Sequence, residues 1–222
     1  NDLGPNSLES VTAVEFSFDD GTKLLSIGIT GIFVSIGYNS NRICLTGNEV
    51  APNDNKIGIP RLYQARAILS AQSFKEAIAI AANPDRASSY NNIITIKGRS
   101  VSIEGSATAS QTLEPNEGIL CHSNHYLGSQ MTSYEGEPNY KSSINRFSSA
   151  ISLTRDLKYP LNLTEIEKIL SDHTLTQPPS DDSICRHGPI SSTLFSIAVD
   201  LDEGRVYVCT GNPCQNPFYT SW

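Results

Sequence analysis

The chain has 222 residues, 38% hydrophobic and only 18% charged, so it can bury a sizeable core and is too apolar for intrinsic disorder. Its formal charge of −7, from 16 basic against 23 acidic side chains with no basic block, repels phosphate backbones and excludes an ordinary nucleic-acid binder. The longest apolar run, residues 77–82, falls far short of the ~20 residues of a membrane helix, so no membrane partner is expected.

The opening Asn1-Asp2-Leu3-Gly4-Pro5 has no initiator Met, basic n-region or apolar h-region; no signal peptide is visible, and the N-terminus reads as processed or truncated. Residues 11–18 alternate, Asp19-Asp20-Gly21 supplies a turn and residues 23–29 return, which predicts a hairpin. Gly31 and Gly37 punctuate a second apolar pair, 32–36 and 43–46, with a polar turn at Tyr38-Asn39-Ser40-Asn41-Arg42. After Pro60, Leu62, Ala65, Ile68 and Leu69 recur at helical period. Ser73-Phe74-Lys75-Glu76 is a capping box opening a second helix through Ala82, stopped by Asn83-Pro84. Strands are predicted at 92–96 and 101–105 around Lys97-Gly98, and a short one at 119–123. Helices follow at 142–153 and 164–171, the second capped by Thr164 with Glu165 and Glu167 in its first turn. Residues 135–140 and 177–182 read as long loops, and 194–201 with 205–209 as a closing hairpin about Asp202-Glu203-Gly204. Antiparallel hairpins interrupted by paired helices predict an α+β layered fold in one domain over 1–222, not a parallel βαβ sheet.

Cys44, Cys121, Cys185, Cys209 and Cys214 are odd in number and scattered, as for free thiols in a reducing compartment, which favours the cytoplasm. The densest polar cluster is Cys121-His122-Ser123-Asn124-His125-Tyr126. It offers a Cys–His pair, two histidines for a metal, an amide donor at Asn124, or simply a hydrogen-bonded strand end. Neighbours on a strand face opposite ways, so Cys121 and His122 are poorly placed to activate each other. No metal is expected: His122-x-x-His125 lacks a zinc-protease Glu, and no second pair at standard spacing completes Cys209 and Cys214. In Ser183-Ile184-Cys185-Arg186-His187, Arg186 reads either as a carboxylate clamp or as an ordinary surface ion-pair residue.

Several stretches together resemble the acyl-coenzyme A:isopenicillin N (6-aminopenicillanic acid) acyltransferase family of self-processing cysteine enzymes, within the N-terminal-nucleophile hydrolases. They include Gly31 to Ser40, Asn48 in Thr46-Gly47-Asn48-Glu49, Pro60-Arg61, Glu76-Ala77-Ile78, Tyr90-Asn91 and Ile103-Glu104. Cys121 to His125, Ser183 to His187, and Thr193-Leu194-Phe195-Ser196 through Gly211-Asn212-Pro213 complete the series in the family's order. The resemblance implies a four-layer αββα fold with antiparallel sheets and an autocatalytic cut that exposes an N-terminal cysteine. Acyl transfer or amide C–N hydrolysis would then run through an acyl-enzyme with no cofactor. It also implies that the amide of Asn124 is an oxyanion donor, with Asn48 a second, and that Arg186, Asp2 and Tyr38 bind substrate.

Nothing here matches the family's Gly-Cys-Thr nucleophile segment, and Ile190-Ser191-Ser192 stands where the family has an arginine. The expected arrangement is therefore the larger, post-nucleophile part of the fold, its first strand missing. A short upstream chain or segment would carry the cysteine, and the partner is a small-molecule amide or acyl substrate. The rival is a non-catalytic homologue that binds an acyl or peptide-like ligand in the same cleft; a cysteine enzyme using Cys121 is a third reading.

Overall fold

The computed structural model describes residues 1–31, 35–136, 141–157, 160–174 and 178–222. In chain order its elements are β1 (Asp2–Leu3), a 3-10 turn at Pro5–Ser10, β2 (Val11–Ser17), β3 (Lys23–Ile29), β4 (Ile36–Asn39) and β5 (Cys44–Glu49). Helices α1 (Arg61–Leu69) and α2 (Phe74–Ala81) precede β6 (Tyr90–Ile96), β7 (Arg99–Gly105), β8 (Ser110–Leu113) and a 3-10 turn at Thr132–Tyr134. Then come α3 (Lys141–Thr154), α4 (Leu163–Leu170), β9 (Ser192–Thr193), β10 (Phe195–Asp200), β11 (Arg205–Thr210) and β12 (Tyr219–Thr220). No helix among the described residues is long and apolar enough to cross a membrane.

Two compact units emerge, Thr12–Pro138 and the pair of segments Asn1–Val11 with Asn139–Trp222. In the first, β2 to β8 form one sheet whose neighbours follow chain order, and the pairs from β3 onward are antiparallel. Alternation along the strands divides their side chains between two faces. Leu24, Leu45, Ile94, Val101 and Ile103 cluster with Ala65, Ile68, Leu69, Ala77 and Ala81 of α1 and α2, so one face of the sheet is the apolar core. The opposite face carries a polar row, taken up below. In the second unit β10, β11 and β12 make a three-stranded antiparallel sheet, β1 pairs with β9, and α4 packs on α3 and on β10.

Local chemistry explains the departures from the sequence reading. Asn39 is fully buried, accepting from Ile43 N at 2.9 Å and donating to Leu69 O at 2.9 Å, so Tyr38 and Asn39 stay in β4 and the turn contracts to Ser40 and Asn41. The cap of α4 is Asn162, not Thr164: Asn162 Oδ1 accepts from Glu165 N and Glu165 Oε2 accepts from Asn162 N, a reciprocal capping box two residues earlier. At α2, Ser73 Oγ accepts from Glu76 N, but Glu76 Oε2 accepts from Gln72 N. The strand expected at 119–123 does not form. Asn116 and Ile119 only bridge each other across a turn in which Glu117 and Gly118 have φ of 49° and 82°. Part of the expected strand at 32–36 and of the loops at 135–140 and 177–182 lies outside the described residues.

Two charged groups tie the irregular connections to the first unit. Arg86, 2% exposed, donates to the carbonyls of Asn83, Ser106 and Ala109. Asp54 accepts from Ser106 Oγ, Ala107 N, Thr108 N and Thr108 Oγ1. Burial raises the Asp54 carboxyl, but the hydrogen bonds from Thr108, Ala107 and Ser106 outweigh it and leave it below its usual value. A carboxyl lowered in the folded state contributes stability above its unfolded value near 3.8, and that contribution is lost as pH falls through the folded value. Asp54→Asn is therefore expected to be less stable than the parent at neutral pH and to lose less on acidification below 3.8 in urea-unfolding series; parallel acid profiles would contradict the assignment.

Candidate active site

The register places four polar residues in line across the sheet: Asn48 of β5 faces Asn91 of β6, which faces Glu104 of β7, which faces Gln111 of β8. All four stand on the face away from α1 and α2, and Asn91 and Glu104 are fully buried. Gly47 allows the close approach at one end of the row. Its φ is 154°, and a Cβ there would lie 2.1 Å from Asn91 O. Ser102 Oγ donates to Asn91 Oδ1, Asn91 Nδ2 to Asn48 Oδ1 at 3.1 Å, and Asn48 Nδ2 to Ser123 O.

This row grips the irregular segment 121–130, whose backbone has no ladder to join. Glu104 Oε1 accepts from Leu127 N at 2.6 Å and Oε2 from Gly128 N at 2.8 Å, while Gln111 Oε1 accepts from Gln130 N at 2.9 Å. Gly128 comes so close that a Cβ would meet Gln111 Oε1 at 2.4 Å and Glu104 Oε2 at 2.7 Å. His122 Nε2 lies 2.6 Å from Glu104 Oε1 with both side chains wholly buried, and Nδ1 faces Ser123 O and Asn48 Oδ1. Both ring nitrogens are thus engaged with oxygens, so His122 clamps the loop and is not positioned as a general base. The clamp presents Asn124, half-buried, whose Nδ2 donates to Glu49 O at 2.8 Å. The two predicted amides therefore cross: Asn48 holds the carbonyl before Asn124, and Asn124 holds the carbonyl after Asn48.

Beside Glu49 opens a cavity of about 340 Å³ walled by Val50, Pro52, Asn53, Ser89 and Tyr90. Arg61 stacks 4.2 Å over the Tyr90 ring, and its burial pulls the guanidinium down to about 10. Tyr38 is 3% exposed in β4 and registers with Cys44, at the other end of β5 from Asn48, so the polar row does not bring it to the amide pair.

The other unit holds the remaining two predicted residues together. Asp2 Oδ1 accepts from Thr193 Oγ1 at 2.7 Å across the β1–β9 pair, and Asp2 Oδ2 lies 3.8 Å from Arg186. Arg186 is also 4.0 Å from Asp181, and its Nε is buried with no hydrogen-bond partner among the described residues. Burial, and then the like charge of Arg186, lower Arg146 in the same cluster, against the pull of Asp2 and Asp182. Arg186, met by carboxylates only at 3.8 and 4.0 Å, can accept a ligand anion.

Three of the cysteines are poor nucleophiles as they stand, because burial keeps their thiols protonated. Cys44 is pushed up to about 12, and Cys185 and Cys209 to about 11, burial leading in each case. Cys121 is half-buried beside His122, whose nitrogens are already committed.

Glu104 and Asn91 received no role from the sequence. A carboxylate at an inward position of a strand that otherwise reads Val101, Ser102, Ile103 was the available signal, since such a charge is seldom buried without partners. Removing it would strand the His122 ring and two N–H groups. Glu104→Ala is expected to cost about 3–5 kcal/mol in urea unfolding, and a loss under about 1 kcal/mol would show the clamp to be dispensable.

Against this geometry, the chain is similar in fold to several N-terminal-nucleophile hydrolases. Penicillin V acylase from Agrobacterium tumefaciens aligns with TM-score 0.60 and 12% identity, over 94% of this chain and 74% of that one. An N-acylethanolamine-hydrolyzing acid amidase ortholog from Caenorhabditis elegans gives TM-score 0.58 and 12% identity, over 95% and 83%. A variant of the conjugated bile acid hydrolase from Clostridium perfringens gives TM-score 0.56 and 14% identity, over 99% and 96%. At these identities the likeness establishes the fold, and it bears out the expected α+β class with antiparallel sheets. No curated protein matches the chain. The family model for acyl-coenzyme A:6-aminopenicillanic acid acyl-transferase matches residues 1–215, and on that span the chain belongs to this family of acyl-transfer and amide-hydrolysing enzymes.

Proposed function

We propose that the protein is a self-processed cysteine acyltransferase or linear-amide C–N hydrolase that works through an acyl-enzyme, its nucleophilic cysteine lying outside residues 1–222. The observation that carries this reading is the crossed amide pair: Asn124 is held by the carbonyl of Glu49, a residue that lines a cavity, on a loop clamped by Glu104 and His122. Oxyanion stabilisation depends on donors that do not reorganise during the reaction, and buried anchoring of this kind supplies that rigidity. The high thiol values of Cys44, Cys185 and Cys209 support a nucleophile from elsewhere.

In this mechanism the cysteine's α-amino group takes the thiol proton, and the thiolate adds to the amide carbonyl carbon. The carbonyl π electrons move onto oxygen, where the Asn124 carboxamide donates to the developing charge. Collapse breaks the C–N bond, and the α-amino group returns the proton to the departing nitrogen. Water or an acceptor amine then displaces the thiolate from the acyl group. Asn48 acts chiefly as a positioning residue, because its amide is spent on Ser123 O and Glu49 O. Asp2 and Arg186 bind substrate, the partly exposed end of the Arg186 guanidinium meeting a substrate carboxylate. Tyr38, buried in β4 at the far end of β5 from Asn48, is given no contact with the reacting amide in this mechanism.

The test is to express the complete reading frame and offer it penicillin V, an N-acylethanolamine and a conjugated bile acid, the compounds in the names of the fold neighbours. Mass spectrometry of the trapped intermediate is expected to find the acyl group on a cysteine outside residues 1–222. Acylation at Cys121 would overturn that placement, and saturable binding without turnover would favour the non-catalytic homologue. Asn124→Ala is expected to lower kcat by ~10²-fold with the fold retained; unchanged turnover contradicts its role. Arg186→Gln should raise KM about tenfold for carboxylate-bearing substrates and leave kcat nearly unchanged, whereas an equal effect on uncharged substrates would remove the carboxylate assignment.

A further inference from the structure

The unit that holds Arg186 also gathers four ligand-type side chains that acyl transfer does not use: His173, Cys185, His187 and Cys214. Their ligand atoms all lie within 4.8 Å of one another. We propose that these four residues form a tetrahedral Cys2His2 site for a zinc ion, which ties together the segment after α4, the 183–187 segment and the chain beyond β11.

The distances fit such a site. Zinc bound at about 2.3 Å to sulfur and about 2.0 Å to nitrogen sets tetrahedral edges of about 3.8 Å between sulfurs and about 3.5 Å from sulfur to nitrogen. Here Cys185 Sγ and Cys214 Sγ are 3.6 Å apart, and His187 Nε2 lies 3.4 Å from the first and 3.2 Å from the second. The His173 and His187 rings approach to 5.0 Å between centroids, tilted by 57°, and each offers a nitrogen within 4.8 Å of the other ligand atoms. The thiols are unbridged, so both sulfurs remain available as ligands.

The surroundings are those of a metal site. Asn212 Nδ2 lies 3.6 Å from Cys185 Sγ while donating to Arg186 O at 2.7 Å, the kind of N–H contact that orients a thiolate ligand. Cys185 N donates to Asp172 O and His187 N to Ser180 O, which hold the ligand-bearing backbone to the other segments. Cys185 is buried while Cys214 is exposed, so an ion can enter from the Cys214 side. Two thiolates and two imidazoles suit zinc and are the wrong donors for magnesium or calcium. Four protein ligands leave no open position, which makes the site structural, not hydrolytic. Arg186 lies between two of the ligands, so the same ion fixes the backbone that presents it. The spacing tests of the sequence reading missed the group because its members come from three separate segments, and the expectation of no metal gives way to this proposal.

The experiment uses the full chain, purified under reducing conditions, with metal content measured and the chelator-stripped protein then titrated with cobalt. One zinc per chain is expected, with a cobalt form showing the intense visible bands of tetrahedral coordination and thiolate-to-cobalt charge transfer, displaced by added zinc. Cys185→Ser and Cys214→Ser should abolish that spectrum and Cys121→Ser should retain it, circular dichroism confirming that each variant is folded. Cys214→His keeps four ligands, so it should retain the tetrahedral bands and lose about half of the charge transfer. The proposal fails if the reduced chain takes up neither metal, if bound cobalt shows only the weak spectrum of octahedral coordination, or if Cys214→Ser leaves the spectrum intact. A Cys185–Cys214 disulfide whose reduction restores no metal binding would also overturn it.

Discussion

A carboxylate with no exposed surface must be met by donors, and the way Glu104 meets that requirement organises the first unit. Its two oxygens take the N–H groups of Leu127 and Gly128 and the ring of His122, so one side chain of β7 fixes both ends of a loop that has no strand to lean on. A buried charge left unpaired costs several kcal/mol, so the loop has one arrangement, not several. The site inherits that rigidity. Asn124 is held both by its own bond to Glu49 O and, through the chain, by the Glu104 contacts on either side of it.

The same logic of satisfaction extends along the row. Ser102, Asn91 and Asn48 hand hydrogen bonds from strand to strand until the last reaches Ser123 O. Such a network is costly if any member is missing, and Gly47 and Gly128 show how tightly it is drawn, since neither position has room for a Cβ. The apolar face of the sheet, covered by α1 and α2, supplies the stability that this polar face consumes.

In the other unit charge is used differently. Arg186 meets Asp2 and Asp181 only at 3.8 and 4.0 Å, and one of its nitrogens has no partner among the described residues. Loose pairing leaves a cation open to a ligand, whereas the tight pairing around Glu104 closes its site to one. The proposed His173, Cys185, His187 and Cys214 site would be the mechanical counterpart, holding the flanks of Arg186 by ligation beside the buried Leu194, Phe195 and Val206.

Period and punctuation made most elements legible before any coordinates. The helix at Leu62, Ala65, Ile68 and Leu69, the Ser73 cap and the hairpin about Gly204 all rest on local spacing that the backbone must obey. The family was legible too, through short motifs kept in order. Residues 119–123 misled because their apolar-to-polar run mimics a strand while Glu117 and Gly118 turn the chain away. The cap of α4 was misplaced because Asn162 and Thr164 are both good caps, and only the Glu165 geometry chooses between them.

What the residues alone determined, then, is the set of elements and the family, because both depend on neighbours a few positions apart. Strand register decided the rest: it set Asn48, Asn91 and Glu104 side by side from segments 43 and 13 residues apart. Loop closure likewise brought Cys214 to Cys185, 29 residues away, and no local pattern encodes such meetings, since they arise only when β-strands pair and side chains bury together.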